Sequence, residues 1–344
     1  MIRIVVADDS ATVREYLVYL LRQDPTLEVV GAAKEGLEVV EQAERLKPDI
    51  ILMDVNMPRL NGFEATRRIM ERVPTPIVMV SASFSRDEMA MTFEALKAGA
   101  LMVVDKPGGP DHPNHVESAR RLVEAVKLMA EVKVVRRWRR AERLSAVRGM
   151  IEWATARPCR LIAIGASTGG PPVMAEILRG LPRDLMVAVL VVQHIVPGFI
   201  GGLCDWLGME TRLTVKPAET GEAIRSGTVY LAPDGLQMGV TPNGRIRLTK
   251  GSEGGSFCPS VSYLFQSVAD SYGRSAVGIL LTGMGRDGAD GLKRLRDAGG
   301  MTIAQDEASS AVFGMPGEAI RLGAAEYVLS PEQIAATIRS LATR

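Results

Sequence analysis

Short apolar runs alternate with amphipathic stretches from the first residues of the chain, and this alternation restricts the fold more than any other feature of the sequence. Residues 4–7, 29–32, 50–53, 77–80 and 101–104 are apolar runs of strand length, and the intervals between them carry helical periodicity. Strands separated by helices pair in parallel, because a parallel pair needs a long crossover and a helix supplies it. The repeats predict a doubly wound, five-stranded parallel sheet over residues 1–131.

A chain of 344 residues exceeds one core of this kind, so a second domain is expected. Residues 132–157 read as a linker with a solvated basic face. They carry Arg136, Arg137, Arg139, Arg140, Arg143 and Arg148 beside Trp138 and Trp153, with Glu142 and Glu152 interrupting the charge. Residues 158–344 return to apolar runs and helices and predict a second α/β domain of Rossmann-like type. Over the whole chain 41 Lys and Arg face 40 Asp and Glu, so no global field directs it to nucleic acid or to a membrane surface. Cys159, Cys204 and Cys258 are too scattered for a disulfide framework or a Cys-x-x-Cys metal site, which points to a reducing, cytoplasmic setting. The N-terminus enters a strand pattern without a signal peptide, and apolar runs such as 186–192 are too short to insert in a bilayer.

In doubly wound sheets the working groups gather at the carboxyl ends of the strands. In the first domain those ends carry Asp8 and Asp9, then Asp54, then Ser81, then Lys106 before Pro107. Carboxylates this close repel one another. A divalent cation with oxygen ligands neutralises them, and Mg²⁺ keeps positions open for phosphate oxygens. Asp54 is then free to attack a phosphoryl donor. Asp8-Asp9-Ser10, the run Met53-Asp54-Val55-Asn56-Met57-Pro58, Ser81-Ala82 and Lys106-Pro107 resemble the receiver domain of bacterial two-component response regulators. The resemblance implies Mg²⁺ at Asp8, Asp9 and Asp54 with help from the Asn56 carbonyl, and phosphorylation of Asp54 by a histidine kinase. It also implies that Ser81 follows the phosphoryl group and that Lys106 is its cation. Receivers usually carry an aromatic switch residue shortly before the lysine, where this chain has Val103.

The second domain opens with an apolar run, 161–164, which is expected to stop at Gly165. The turn Gly165-Ala166-Ser167-Thr168-Gly169 then leads to a helical run over 172–179. A serine on such a turn suits a nucleophile, because nearby amides and a helix N-terminus stabilise negative charge; by itself the pattern equally fits a turn that cradles phosphate. The run 186–192 ends at Gln193-His194. Of three histidines, His112 and His115 lie beside the linker, so His194 is the candidate base. The run 277–281 ends in a glycine-dense loop that holds Asp287, the candidate orienting acid, with Asp290 as its rival. The order Ser, His, Asp excludes the α/β-hydrolase arrangement and leaves a triad possible, since triads are defined by geometry.

Gly165 through Gly170, Gln193-His194 with Pro197-Gly198-Phe199, Val229-Tyr230-Leu231-Ala232-Pro233, Pro259-Ser260-Val261, Leu281 through Ala289 and Phe313-Gly314-Met315-Pro316 resemble the catalytic domain of the chemotaxis response-regulator protein-glutamate methylesterases, the CheB family. The resemblance implies attack by Ser167 on the methyl ester of a glutamate side chain in a methyl-accepting chemoreceptor, with His194 as base and Asp287 as its acid. The Met284 amide is an oxyanion candidate, methanol and glutamate are the products, certain glutamines are deamidated by the same route, and the ester chemistry needs no cofactor. Many relatives differ at Ile200, Gln237, Cys258 and Ser262, all outside the assigned triad. A receiver placed before such a domain implies that phosphorylation of Asp54 lifts a restriction on substrate access. The rival expectations are a DNA-binding output through the basic linker and an esterase for small molecules. The second half shows no helix-turn-helix pattern to support the former.

Overall fold

The computed structural model describes residues 1–81, 86–109, 112, 115–132, 159–251 and 257–342. All but the first residue of the expected linker 132–157, including its arginines and both of its tryptophans, lies outside these residues. The chain divides into two compact units, each with its own parallel sheet.

The first unit runs β1 (Ile2–Ala7), α1 (Ala11–Arg22), β2 (Leu27–Ala33), α2 (Gly36–Leu46), β3 (Ile50–Asp54), α3 (Gly62–Arg72), β4 (Ile77–Ser81), α4 (Arg86–Ala98), β5 (Met102–Asp105) and α5 (His115–Ala130). Its strand order is β2-β1-β3-β4-β5, and every pair is parallel. All residues of β3 and β4 are buried. Burial on both faces is why these strands read as unbroken apolar runs. Ser10 begins α1 by accepting a hydrogen bond from Val13 N, and Asn61 begins α3 by accepting one from Glu64 N. The order reverses between β1 and β3, which are neighbours in space, so the loops after Ala7 and Asp54 leave on opposite sides and open a crevice.

The second unit runs β6 (Leu161–Ala166), α6 (Gly170–Arg179), β7 (Ala188–Gln193), α7 (Ile200–Glu210), β8 (Thr214–Pro217), β9 (Thr228–Leu231), β10 (Leu236–Val240), β11 (Ile246–Lys250), α8 (Val261–Tyr272), β12 (Ala276–Leu280), α9 (Ala289–Asp297), β13 (Met301–Gln305), α10 (Met315–Arg321), β14 (Tyr327–Leu329) and α11 (Pro331–Ala342). Seven parallel strands form one sheet in the order β14-β13-β12-β6-β7-β9-β8, and β10 and β11 form a separate antiparallel hairpin. The switch in strand order falls between β6 and β12. Val261, Leu264, Phe265 and Val268 of α8 are buried with Leu190 of β7 and Leu280 of β12 in a single core, and each such side chain contributes about 1.5–3 kcal/mol by leaving water.

Two expectations change. Strand β6 does not stop at Gly165 but continues to Ala166. The glycine is there for packing: a Cβ at this position would stand 2.0 Å from Val261 Cγ1, so only a bare backbone lets the strand pass under α8. The β10–β11 hairpin was not expected, since its strands carry only short, mixed apolar patterns. Gly165→Ala should lower the stability of the second unit by about 1–3 kcal/mol through overpacking. Adding Val261→Ala should recover part of that loss, which a double-mutant cycle of urea midpoints will measure.

Candidate functional site

The crevice of the first unit gathers its carboxylates. Asp8 follows β1 and Asp54 ends the adjacent β3; both are buried, while Asp9 is exposed. Ligand atoms of the three lie within 4.8 Å of one another. Lys106, just after β5, places Nζ 2.8 Å from Asp8 Oδ2 and 2.9 Å from Asp54 Oδ1, and Val55 N donates to the same Asp54 oxygen at 2.9 Å. Burial pushes the Asp54 carboxyl up to about 6; the Lys106 ammonium pulls it down and the Asp8 charge adds to the rise. Three carboxylates against one ammonium leave an excess of about two negative charges, so the donor set fits a divalent cation with oxygen ligands. Asn56 is exposed two residues beyond Asp54. Ser81 ends β4 opposite Asp105 of β5, and its carbonyl accepts from Lys106 N at 2.8 Å, so hydroxyl and ammonium belong to neighbouring strand ends. Val103 is buried within β5.

In the second unit Ser167 follows β6 directly, His194 follows β7, and Asp287 lies in the loop after β12. These strands are neighbours, with the serine's strand between the other two. Ser167 N donates to Thr282 O at 3.0 Å, and the Gln193 side-chain amide donates to the carbonyls of both Ser167, at 2.8 Å, and His194, at 2.7 Å. Gly283 comes so close that a Cβ on it would stand 2.7 Å from Ser167 Cβ. The serine is therefore held from both sides, with α6 starting three residues later. Among the described residues no hydrogen bond reaches Ser167 Oγ. Such a contact often closes only when substrate is bound.

His194 Nε2 donates to Asp287 Oδ2 at 3.0 Å, which leaves Nδ1 as the basic nitrogen. The carboxylate is held at the start of α8, where Val261 N donates to Oδ2 at 2.7 Å and Ser262 N and Ser260 Oγ donate to Oδ1 at 3.0 and 2.9 Å. Burial raises the Asp287 carboxyl, but the His194 hydrogen bond and the Ser262 and Val261 amides prevail and hold it well below the usual range. Asp290 instead pairs with Arg286 and is largely exposed. Met284 is partly exposed beside Gly283, and among the described residues its amide has no acceptor. Burial pushes the Cys159 and Cys204 thiols up to about 12, which keeps them un-ionised.

Sequence reasoning treated Gln193 only as a landmark before His194, and did not give Ser260 or Ser262 any role in holding Asp287. Polar residues at the end of one buried strand and at a helix start were the available signals.

Residues 4–132 match the response regulator receiver domain, and residues 162–338 match the family described as CheB methylesterase. The first unit is thus a response-regulator receiver, and the second matches a family of ester hydrolases. Over 99% of each chain, this one is 50% identical to a protein-glutamate methylesterase/protein-glutamine glutaminase of Syntrophus aciditrophicus and 49% identical to one of Geobacter metallireducens. The crystal structure of the Thermotoga maritima CheB methylesterase catalytic domain covers 53% of this chain and 98% of its own, with 36% identity and a TM-score of 0.51. The chain belongs to the CheB methylesterase family.

The buried Asp54 makes receiver stability depend on pH. The folded unit keeps a proton on Asp54 to about pH 6, whereas the unfolded chain releases it near 3.8. Stability from this group is therefore complete below the unfolded value and is lost as the pH rises through about 6. With metal chelated, Asp54→Asn should raise the stability of the first unit near neutral pH by about 1–3 kcal/mol, and the two proteins should converge toward about pH 4. Equal urea midpoints at neutral pH would mean that Lys106 fully offsets the buried charge.

Proposed function

We propose that the chain is a phosphorylation-activated protein-glutamate methylesterase that removes methyl groups from glutamate esters on chemoreceptors and deamidates certain receptor glutamines. In this reading residues 1–131 are the receiver, 132–157 the linker and 158–344 the catalytic domain, and the protein works in the cytoplasm. The observation that carries the reading is the His194–Asp287 hydrogen bond, formed at strand ends that flank Ser167.

Ser167 Oγ attacks the ester carbonyl while His194 Nδ1 takes its proton, and Asp287 holds the imidazole and stabilises the imidazolium. The carbonyl oxygen becomes an oxyanion facing the Met284 amide and the N-terminus of α6. The intermediate then expels methoxide, which leaves as methanol with the proton from His194. A water activated by His194 cleaves the acyl-serine, giving free glutamate and restoring Ser167. With glutamine, ammonia leaves in place of methanol. In the receiver, Asp8, Asp9, Asp54 and the Asn56 carbonyl would hold Mg²⁺, which supplies charge neutralisation during phosphoryl transfer from a histidine kinase. Asp54 takes the phosphoryl group, and Lys106 and Ser81 bind its oxygens.

Ser167→Ala should lower methanol release from methylated receptor by about 10⁴-fold or more while leaving Asp54 phosphorylation intact. Asp287→Asn should remain about 10–100-fold more active than Ser167→Ala, because it disturbs the tautomer without deleting a reacting group. Greater damage from Asp290→Asn than from Asp287→Asn would move the acid to Asp290. A fragment lacking residues 1 to about 150 should exceed the unphosphorylated full chain in rate. Asp54→Asn in the full chain should block activation by a phosphodonor. A fragment no faster than the resting full chain would mean that the receiver assists catalysis or recruits substrate.

A further inference from the structure

The hydrogen bond to Asp287 fixes the His194 ring at one atom, Nε2, and leaves the ring plane able to twist about the line of that bond. A general base needs its other nitrogen held in a fixed plane, so a second restraint is required. Phe257 is placed to supply it: its ring lies 4.7 Å from the His194 ring, centroid to centroid, and within 14° of parallel. Phe257 is nevertheless 59% exposed, so core packing does not account for its position. The backbone accounts for it. Gln237 is buried in the β10–β11 hairpin; its Nε2 donates to Phe257 O at 2.8 Å and its Oε1 accepts from Ser260 N at 2.8 Å. One amide thus braces the segment at both ends. Ser260 also caps α8 and binds Asp287, so the face and the edge of the imidazole are held by the same braced segment.

We propose that Phe257 is a positioning residue for His194, and that Gln237 sets its place. The inference rests on the assignment of His194 as the base. The ring acts in two ways. Stacking fixes the imidazole plane, so the Nδ1 lone pair keeps one direction, and a misplaced reacting group is costly to rate. The face of a phenyl ring also attracts a cation, and the imidazolium exists only after His194 has taken the serine proton. The interaction is therefore stronger in the transition state than in the resting enzyme, and its loss falls on kcat.

The test compares full-length wild type, Phe257→Leu and Phe257→Tyr on a soluble peptide carrying a glutamate methyl ester, with Ser167→Ala as control. Phe257→Leu should lower kcat about tenfold with KM unchanged, and Phe257→Tyr should restore it to within about twofold. A second measurement needs no turnover. The chain has only three histidines, so their ring protons can be followed individually by NMR. The His194 signal should move downfield in Phe257→Leu as the shielding of the stacked ring is lost, while His112 and His115 stay in place. An unchanged His194 signal, an unchanged kcat, or a raised KM with kcat intact would overturn the proposal, the last by making Phe257 a substrate contact. If wild type is no faster than Ser167→Ala, the esterase reading fails first, and the NMR comparison still decides whether Phe257 restrains the ring.

Discussion

The Asp287 carboxylate accepts hydrogen bonds from Val261 N, Ser262 N, Ser260 Oγ and His194 Nε2, and through them it joins three distant parts of the chain. Its loop follows β12, its amide donors begin α8 and its imidazole follows β7. A buried anion must have its lone pairs met, and the amides at a helix start, which have no partner within the helix, meet them with a favourable dipole. Ser262 Oγ adds to this by accepting from Gly288 N at 2.7 Å, which ties the loop to the helix a second time. Removing any donor leaves a charge in a dry place, so the acid, the helix start and the histidine form one structural unit.

Asp54 and Asp287 show how neighbours decide the behaviour of one residue type. Both are buried, and burial alone raises both. At Asp287 backbone amides and a histidine favour the anion, and the carboxyl falls below its usual range. At Asp54 a single shared ammonium and one amide oppose burial and the Asp8 charge, and the carboxyl rises. The first is a settled anion hydrogen-bonded to a histidine. The second is an anion held at a cost, which in the proposed reading a metal ion relieves and phosphorylation converts to an acyl phosphate.

The five strands of the first sheet and β6, β7 and β12 of the second were readable as apolar runs, whereas β8, β9, β13 and β14 were not read as strands; observed ends differ from expected ones by a residue or two, as for β7 (Ala188–Gln193) against 186–192. Gly165 misled because a glycine inside a strand and one ending a strand look alike; its purpose depends on Val261, nearly a hundred residues away in the chain. The candidate site was legible where polar residues follow an apolar run, as at Ser167, His194 and Asp54. The residues that hold those groups were not. Gln193, Gln237 and Ser260 act through amide and hydroxyl hydrogen bonds whose partners are distant in sequence, and neither composition nor periodicity marks such a partner.

The geometry of the catalytic unit bears on how a receiver can govern it. The His194–Asp287 hydrogen bond forms within the second unit, and Gln193 ties the serine's backbone to that of the histidine. In the proposed reading, control then acts on what reaches Ser167. The apolar Met284 side chain, open to solvent in the loop after β12, fits this reading. A free methyl ester on a long glutamate side chain needs little space, whereas a folded receptor needs the whole rim. A bias of about 1.4 kcal/mol between restricted and accessible states changes access about tenfold, and near-complete switching takes about 5.5 kcal/mol. In the same reading, one phosphoryl group held by Lys106 and Ser81 would supply one to three charge-assisted hydrogen bonds, which suits graded release better than an absolute gate.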